Sequence, residues 1–164
     1  FLLKFTRNTV IAFDFKEALS FEGETGPYCQ YAAVRTNSIF RKLPDETVAA
    51  ADALIKQIVG DNALQERVAE VLSGESGTEI WSLVMLSQQL EEVVGQCRNS
   101  AEPANLAKYT FSLARQFSRF YHDHRIITEQ DEVRRGVLIA VTKLIRKQLT
   151  SALQILGINV PEQM

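Results

Sequence analysis

The chain has 164 residues, of which 46% are apolar and 23% charged, and its formal net charge is −2. This composition is typical of a globular domain with a sizeable core, and no apolar run approaches the roughly 18 residues that a membrane span needs. Two cysteines, Cys29 and Cys97, are too few for a disulfide scaffold or a cysteine-based zinc site, so we expect a cytoplasmic protein without a membrane partner.

The first part of the chain reads as extended. Residues 1–19 contain two apolar runs, Phe1–Phe5 and Val10–Phe15, which flank a predicted turn at Arg7-Asn8. The sequence starts inside the first of these runs and without Met. We interpret this start as a cut within a longer protein.

From Pro27 onward the pattern predicts helices almost throughout. Thr25-Gly26-Pro27 combines a capping residue with proline at the first helical position, so a helix is expected from Pro27 to about Leu43. Shorter amphipathic helices are predicted over 45–59 and 64–72, with breaks at 60–62 and 73–77. Longer helices are predicted over 78–97 and over 104–121. The second of these has a predicted core stripe of Leu106, Thr110, Leu113, Phe117 and Phe120.

The last helix has the most regular apolar pattern. Residues that step by four and three positions form one stripe along it: Leu138, Thr142, Ile145, Leu149, Ala152 and Leu156. Gly157 is expected to end this helix, and Ile158, Val160 and Pro161 are the apolar anchors expected to fold the remaining residues back onto the bundle. The predicted fold class is therefore all-α, a helical bundle with a short extended N-terminal appendage.

Charge is distributed unevenly along the chain. Residues 1–44 carry a net charge of +2, residues 45–103 of −8 and residues 104–150 of +5. If the first and last portions fold together, they present a positive face suited to nucleic acid, with the acidic region turned away. An unevenly charged solvated surface is the alternative.

No enzymatic site is expected in this chain. His122 and His124 are two residues apart, so on a helix they point in different directions and cannot hold one metal ion. The sequence has no glycine-rich phosphate loop and no Ser or Cys in a recognisable nucleophile motif. We therefore predict no catalytic residues, no metal site and no cofactor within these residues.

Two sets of side chains have the chemistry for RNA binding. On a helix that starts at Pro27, the predicted core side carries Cys29, Ala33, Thr36 and Phe40. Tyr28, Tyr31 and Arg35 share a different side, and tyrosine and arginine planes can stack on unpaired bases. The second set lies near the end of the 104–121 helix, where a stripe of three cations (Arg115, Arg119, His122) is joined by Tyr121 and Arg125. The alternative in both cases is ordinary packing and surface ion pairing.

The first set belongs to a longer signature. Arginyl-tRNA synthetases show the pattern Gly-x-Thr-[Gly/Ala]-Pro-Tyr-x-Gln-Tyr-Ala-x-x-Arg, and residues 23–35 match it at Gly23, Thr25, Gly26, Pro27, Tyr28, Gln30, Tyr31, Ala32 and Arg35. The segments around 102–121 and 153–164 also resemble this family. The resemblance covers essentially the whole chain except residues 45–77, an acidic helical segment that we interpret as an insertion.

The resemblance implies a DALR-type anticodon-binding bundle over residues 20–164, with residues 1–19 as the last piece of a catalytic domain. The parent enzyme uses ATP with Mg²⁺ to attach arginine to tRNA, but neither of the family's ATP-binding signatures, HIGH and KMSKS, occurs in this sequence. The implied partners are the anticodon stem-loop of arginine tRNA and the catalytic domain of the same polypeptide, and not DNA.

The resemblance also implies which residues face the anticodon. Tyr31 and Arg35 are the central pair, with Tyr28 and Gln30 as neighbours and with Tyr121 and Met164 completing the site. Arg125, which stands where the family often has an aromatic residue, joins this set from the basic and aromatic pattern beside Tyr121. Arg115, Arg119 and His122 are candidate phosphate contacts, and Arg35 is the expected cation beside the Met164 carboxylate. The competing interpretation is a helical protein-interaction module that uses the acidic region 45–103 for docking and does not bind RNA.

Overall fold

The computed structural model describes residues 2–20 and 23–164, and within them it contains helices and no strands. The all-α prediction is confirmed. In chain order the helices are α1 (Phe15–Ala18), α2 (Gly26–Lys42), α3 (Asp45–Gln57), α4 (Asn62–Val71), α5 (Gly74–Ser87), α6 (Leu90–Ser100), α7 (Ala104–Asp123) and α8 (Glu132–Ile155), with 3₁₀ turns at Leu2–Lys4 and Ile58–Gly60. Phe1, Phe21 and Glu22 lie outside the described residues.

The core is built on the apolar stripes of α7 and α8. All five residues of the α7 stripe are buried, and so are the first five of the predicted α8 stripe: Leu106, Thr110, Leu113, Phe117 and Phe120 on α7, and Leu138, Thr142, Ile145, Leu149 and Ala152 on α8. Helix α2 packs against both of these helices. The stripes predicted from helical spacing are therefore the surfaces on which the bundle assembles.

The helix predicted over residues 78–97 is wrong in two respects. It starts at Gly74, because Gly77 has no side chain and lets the backbone of Leu72 approach: a Cβ at Gly77 would lie 2.0 Å from the Leu72 carbonyl carbon. It also ends at Ser87, and α6 begins at Leu90. At this break the Ser87 carbonyl oxygen accepts a hydrogen bond from the Tyr109 hydroxyl at 3.2 Å, a partner contributed by α7.

The acidic helices α3 and α4 pack against α8. A Cβ at Gly136 would lie 3.1 Å from Leu54 Cδ1, so the absence of a side chain lets α3 lie close to α8. Two ion pairs reinforce this packing: the Lys143 ammonium lies 2.7 Å from the Asp52 carboxylate, and Arg67 of α4 lies 2.9 Å from Asp131, which caps the start of α8. The acidic segment 45–77 thus covers one side of α8.

The N-terminal appendage differs from the extended chain that was predicted. Leu2–Lys4 and Phe15–Ala18 each form one helical turn, and residues 9–14 between them have no regular structure. The Leu2–Lys4 turn contacts α7. Among the helices of residues 2–20 and 23–164, none combines the length and hydrophobicity needed to cross a bilayer.

Candidate nucleic-acid interface

Helix α2 begins at a capped turn that fixes which of its sides faces the core. The Thr25 hydroxyl accepts a hydrogen bond from the Tyr28 backbone N–H at 3.4 Å, and Pro27 lies in the first turn. Cys29 and Ala33 are buried as predicted, and burial raises the pKa of the Cys29 thiol to about 12. Tyr31 lies on another side of the helix and is 46% exposed.

The guanidinium of Arg35 contacts two tyrosine rings at once. Its Cζ lies 4.5 Å from the centroid of the Tyr31 ring and 4.8 Å from that of Tyr121 on α7, both within cation–π range. Arg35 Nη2 also donates a hydrogen bond to the Tyr31 hydroxyl at 2.8 Å. We call these three side chains the Tyr–Arg–Tyr stack. None of the ion pairs found among the described residues involves Arg35, so its positive charge has no carboxylate partner there.

The chain reverses direction after α8 through a turn at Gly157. Gly157 has φ of +74°, a conformation that suits glycine. The Ile158 N–H donates to the Leu153 carbonyl at 2.8 Å and the Gly157 N–H donates to the Gln154 carbonyl at 3.0 Å, the two hydrogen bonds of a Schellman motif. Since this turn ends α8 at a fixed position, it also fixes where the following residues leave the helix.

Residues 158–164 then run along α2. Ile158 and Val160 pack against the core, the Gln30 side-chain amide donates to the Asn159 carbonyl at 2.7 Å, and an Arg41 guanidinium nitrogen donates to the Glu162 carbonyl at 3.2 Å. Met164 is 58% exposed. These contacts agree with the predicted return of the tail to the bundle.

Met164 and the Tyr–Arg–Tyr stack line the same groove. Its volume is about 360 Å³, and its walls include all three stack residues together with Arg41, Lys42 and Met164. A flexible thioether therefore lies beside two tyrosine rings and three cations. This arrangement offers both flat surfaces for stacking and positive charge for a phosphate group.

A second groove adjoins the stack. It has a volume of about 530 Å³ and is lined by Arg35 and Tyr121 together with His122, Arg125 and residues 126–128. His122 and Arg125 were predicted as RNA contacts, and the structure brings them next to the stack. Tyr121 therefore has a groove on each of two sides.

Two of the predicted neighbours are engaged in packing or in holding the tail. The Tyr28 ring centroid lies 5.2 Å from that of Phe111, and Tyr28 is half-buried, so its ring packs against α7. This contact corrects the expectation that Tyr28 and Tyr31 form one platform. The amide nitrogen of Gln30 is used by Asn159, which leaves the Gln30 Oε1 as the atom able to accept a further hydrogen bond.

Arg115 and Arg119 are separated from the stack. They line a third groove between α5 and α7, together with Thr78, Glu79 and Ser82. The Arg119 guanidinium lies 2.6 Å from the Glu79 carboxylate and 3.8 Å from that of Asp123. The stripe of Arg115, Arg119 and His122 that the sequence predicted as a unit is therefore divided, because only His122 borders the stack.

The second groove is also lined by the buried His124, which was not predicted as a site residue. His124 Nδ1 lies 3.2 Å from Arg134 Nη2, and Arg134 is paired with Glu129 at 3.2 Å. Burial, followed by the positive charge of Arg134, lowers the pKa of His124. Since Arg134 can only donate, His124 Nδ1 acts as the acceptor of a neutral ring.

Arg41 and Lys42 are the residues of this interface that sequence reasoning missed. Lys42 lies seven residues after Arg35, so the spacing already placed it on the same side of α2. Arg41 could not be found in this way, because its place in the groove depends on the return of the tail. The tail itself was predicted only from its apolar residues.

Comparison with known proteins identifies one family profile. The profile described as the DALR anticodon binding domain matches residues 29–164. Arginine–tRNA ligases of Streptococcus pneumoniae, including strains Hungary19A-6 and D39, are 33% identical to this chain over 162 residues. That alignment covers 99% of this chain and 25% of each relative, so the chain spans about a quarter of the length of the curated relatives it matches.

Several solved structures share the fold. Arginyl-tRNA synthetase of Thermus thermophilus superposes with a TM-score of 0.68 at 27% identity, over 93% of this chain and 23% of that one. A Campylobacter jejuni protein assigned as an arginyl-tRNA synthetase superposes with a TM-score of 0.71 at 18% identity, over 99% of this chain and 32% of that one. At 18% identity, the second likeness concerns the fold alone.

Proposed function

Since this chain belongs to the DALR anticodon-binding domain family, we propose that it grips the anticodon stem-loop of arginine tRNA as part of a cytoplasmic arginine–tRNA ligase. The observation that carries the proposal is the Tyr–Arg–Tyr stack with Met164 in the same groove. Within the stack the Tyr31 ring is exposed, and Arg35 has no carboxylate partner among the described residues. RNA recognition by stacking uses the same two features.

In the proposed complex an unpaired base stacks on the exposed Tyr31 ring, and Met164 packs against the base from across the groove. Arg35 is already held by two rings and by the Tyr31 hydroxyl before RNA arrives. Ordering this side chain on binding therefore costs less conformational entropy than ordering a free arginine. Arg41 and Lys42 on the same groove wall attract the phosphates on either side of the base.

The genetic code defines which base must be read. All arginine codons have a central G, so every anticodon of arginine tRNA has a central cytosine while its other positions vary. A cytosine edge offers an amino donor and two acceptors, a carbonyl oxygen and a ring nitrogen. Arg35 can donate to the acceptors, and Gln30 Oε1 can accept from the amino group because its amide nitrogen is already held by Asn159.

The chemistry of arginylation belongs to another part of the proposed parent enzyme. ATP, Mg²⁺ and arginine would bind a catalytic domain of the same polypeptide, of which residues 1–19 form the last piece. Residues 20–164 form the binding bundle, and residues 45–77 form its acidic helical insertion. In this division the bundle supplies tRNA recognition and takes no part in bond making.

A titration of RNA stem-loops tests the proposal. The ligands are an arginine anticodon stem-loop and the same stem-loop with its central cytosine replaced by another base. We expect the replacement to weaken binding by about 5- to 150-fold, corresponding to the roughly 1–3 kcal/mol carried by a paired set of hydrogen bonds to a base edge. Binding should also weaken steeply as salt is added. Equal affinity for the two stem-loops would refute anticodon recognition.

A further inference from the structure

A second cationic groove lies between α3 and α8. Its volume is about 830 Å³, and four basic side chains line it: Lys56 from α3 and Lys143, Arg146 and Lys147 from α8. Ile55 and Leu144 contribute apolar surface to the same groove. An apolar floor suits lysine, because its methylene stem can lie on that surface while the ammonium group stays in water.

Most of the positive charge in this groove is uncompensated. Lys143 is paired with Asp52, whose two carboxylate oxygens both lie 2.7 Å from the ammonium nitrogen. The Arg146 Cζ lies 5.3 Å from the centroid of the Phe40 ring, a contact that leaves its charge in place. Lys56 and Lys147 are exposed, and no ion pair within residues 2–20 and 23–164 involves either. Three cations therefore face solvent without a carboxylate.

The end of α2 links this groove to the one beside the stack. Arg41 and Lys42, in the last turn of α2, line the groove that contains Met164. Phe40 precedes them and is covered by Arg146 of the second groove. Phe40 also follows Arg35 by five residues, which is an axial rise of about 7.5 Å. Cations thus continue from the stack, through the end of α2, to the outer side of α8.

We propose that the α3–α8 groove holds the phosphate backbone of the RNA stem next to the anticodon loop. The inference rests on the proposed function and adds a second contact surface to it. A polyanion is the occupant that matches three uncompensated cations. Two of the three are lysines, whose flexible ammonium groups act as point charges and suit phosphates that carry no sequence information.

The roles of the two grooves differ under this proposal. The groove beside the stack reads a base, and the α3–α8 groove supplies affinity that is independent of sequence and sensitive to salt. Removing charge from the α3–α8 groove should therefore change the salt dependence of binding without changing the preference for a central cytosine. This distinction separates the inference from the function on which it rests.

The test compares two double variants in the full 164-residue chain. Lys56→Gln with Lys147→Gln removes two charges from the groove, and Arg98→Gln with Lys108→Gln removes two charges from exposed positions on α6 and α7. Each protein is titrated between 50 and 200 mM salt with the arginine stem-loop and with its loop sequence alone as a single strand. Melting temperatures confirm that every variant is folded.

For the groove variant we expect the slope of log K against log salt to fall in magnitude by about 1.8 with the stem-loop, which is about 0.9 for each lost phosphate contact. Affinity at 100 mM salt should fall on the order of tenfold or more. Binding of the loop alone and discrimination at the central base should be unchanged, and the control variant should keep the wild-type slope.

A groove variant with the wild-type slope overturns the inference and leaves the groove open to a protein partner. Failure of the wild-type chain to prefer the central cytosine overturns the proposed function instead.

Discussion

Arg35 on α2 and Arg119 on α7 have similar sequence surroundings and different partners in the fold. Each has aromatic residues within one or two turns, and each lies at helical spacing from other polar residues. In the structure Arg35 contacts the rings of Tyr31 and Tyr121, whereas Arg119 contacts the carboxylates of Glu79 and Asp123. Both guanidinium groups are fixed in position by their contacts, but only that of Arg119 is paired with carboxylates.

The two arginines differ in how far their positive charge remains available to a ligand. A cation–π contact fixes the orientation of a guanidinium while its charge remains available to a phosphate or a base edge. An ion pair uses that charge, and an RNA phosphate would have to compete with the carboxylates already present. The neighbours of an arginine therefore indicate better than its spacing along a helix whether its charge remains available.

The largest expected effect is that of removing the exposed ring of the stack. Tyr31→Ala should weaken binding of the arginine stem-loop by about 5- to 150-fold, or roughly 1–3 kcal/mol, because a base loses its stacking surface and Arg35 loses one of its two rings. Arg119→Ala should change binding by less than about twofold, since its charge is already compensated. Both are measured by titration at one salt concentration.

Two further variants control for loss of the ring and loss of the fold. Tyr31→Phe keeps the ring and removes only the hydroxyl that accepts from Arg35, so it should retain most of the affinity. Cys29→Ser, on the buried side of α2, should lower the melting temperature and leave RNA binding of the folded protein unchanged. If folded Tyr31→Ala binds as tightly as the wild type, Tyr31 does not stack on the RNA.

A smaller effect is expected from the tail. Deleting Gln163 and Met164 should weaken stem-loop binding by about tenfold, equivalent to roughly 1.4 kcal/mol, because one wall of the groove is lost. The melting temperature should hardly change, since the Glu162 carbonyl that accepts from Arg41 is retained. Undiminished binding by the shortened protein would remove Met164 from the site.

The smallest expected effect is that of releasing Arg119 from its ion pair. Glu79→Gln removes the carboxylate that lies 2.6 Å from Arg119 and should release part of its charge. We expect RNA binding to become slightly tighter and the salt slope to increase by less than about 0.9, which is the value of one full phosphate contact. Adding Arg119→Ala to this variant should reverse the gain. If the gain persists without Arg119, its cause lies elsewhere.

Much of the fold follows from local sequence signals. The Thr25–Pro27 start, the Gly157 end and the apolar stripes of α7 and α8 depend on residues close together in the chain, and the structure confirms them. The break between α5 and α6 was missed because its stabilising partner, the Tyr109 hydroxyl, is supplied by α7. Likewise, the close approach of Leu54 to Gly136 could not be predicted, because Leu54 lies on α3.

The candidate site shows the same limit. The spacing of Tyr31 and Arg35 was visible in the sequence, and a family resemblance connected them with Tyr121 and Met164. Helical spacing alone could not predict that Arg35 would face Tyr121 while Arg119 faced Glu79, because those neighbours depend on how α2 and α5 pack against α7. Whether an arginine keeps its charge unpaired depends on carboxylates that lie far away in the sequence, as Glu79 does from Arg119.

The turn at Gly157 fixes where the tail begins and leaves the tail little freedom to shift along α2. Asn159 is held by Gln30 and Glu162 by Arg41, two residues that lie about 16 Å apart along the axis of α2. Three residues of fully extended chain span at most about 11 Å, and the long Gln30 and Arg41 side chains cover the remainder. These two contacts therefore set how far along α2 the tail can reach. Removing one residue between Asn159 and Glu162 would draw Met164 back by up to about 3.6 Å, altering the groove without changing any residue that lines it.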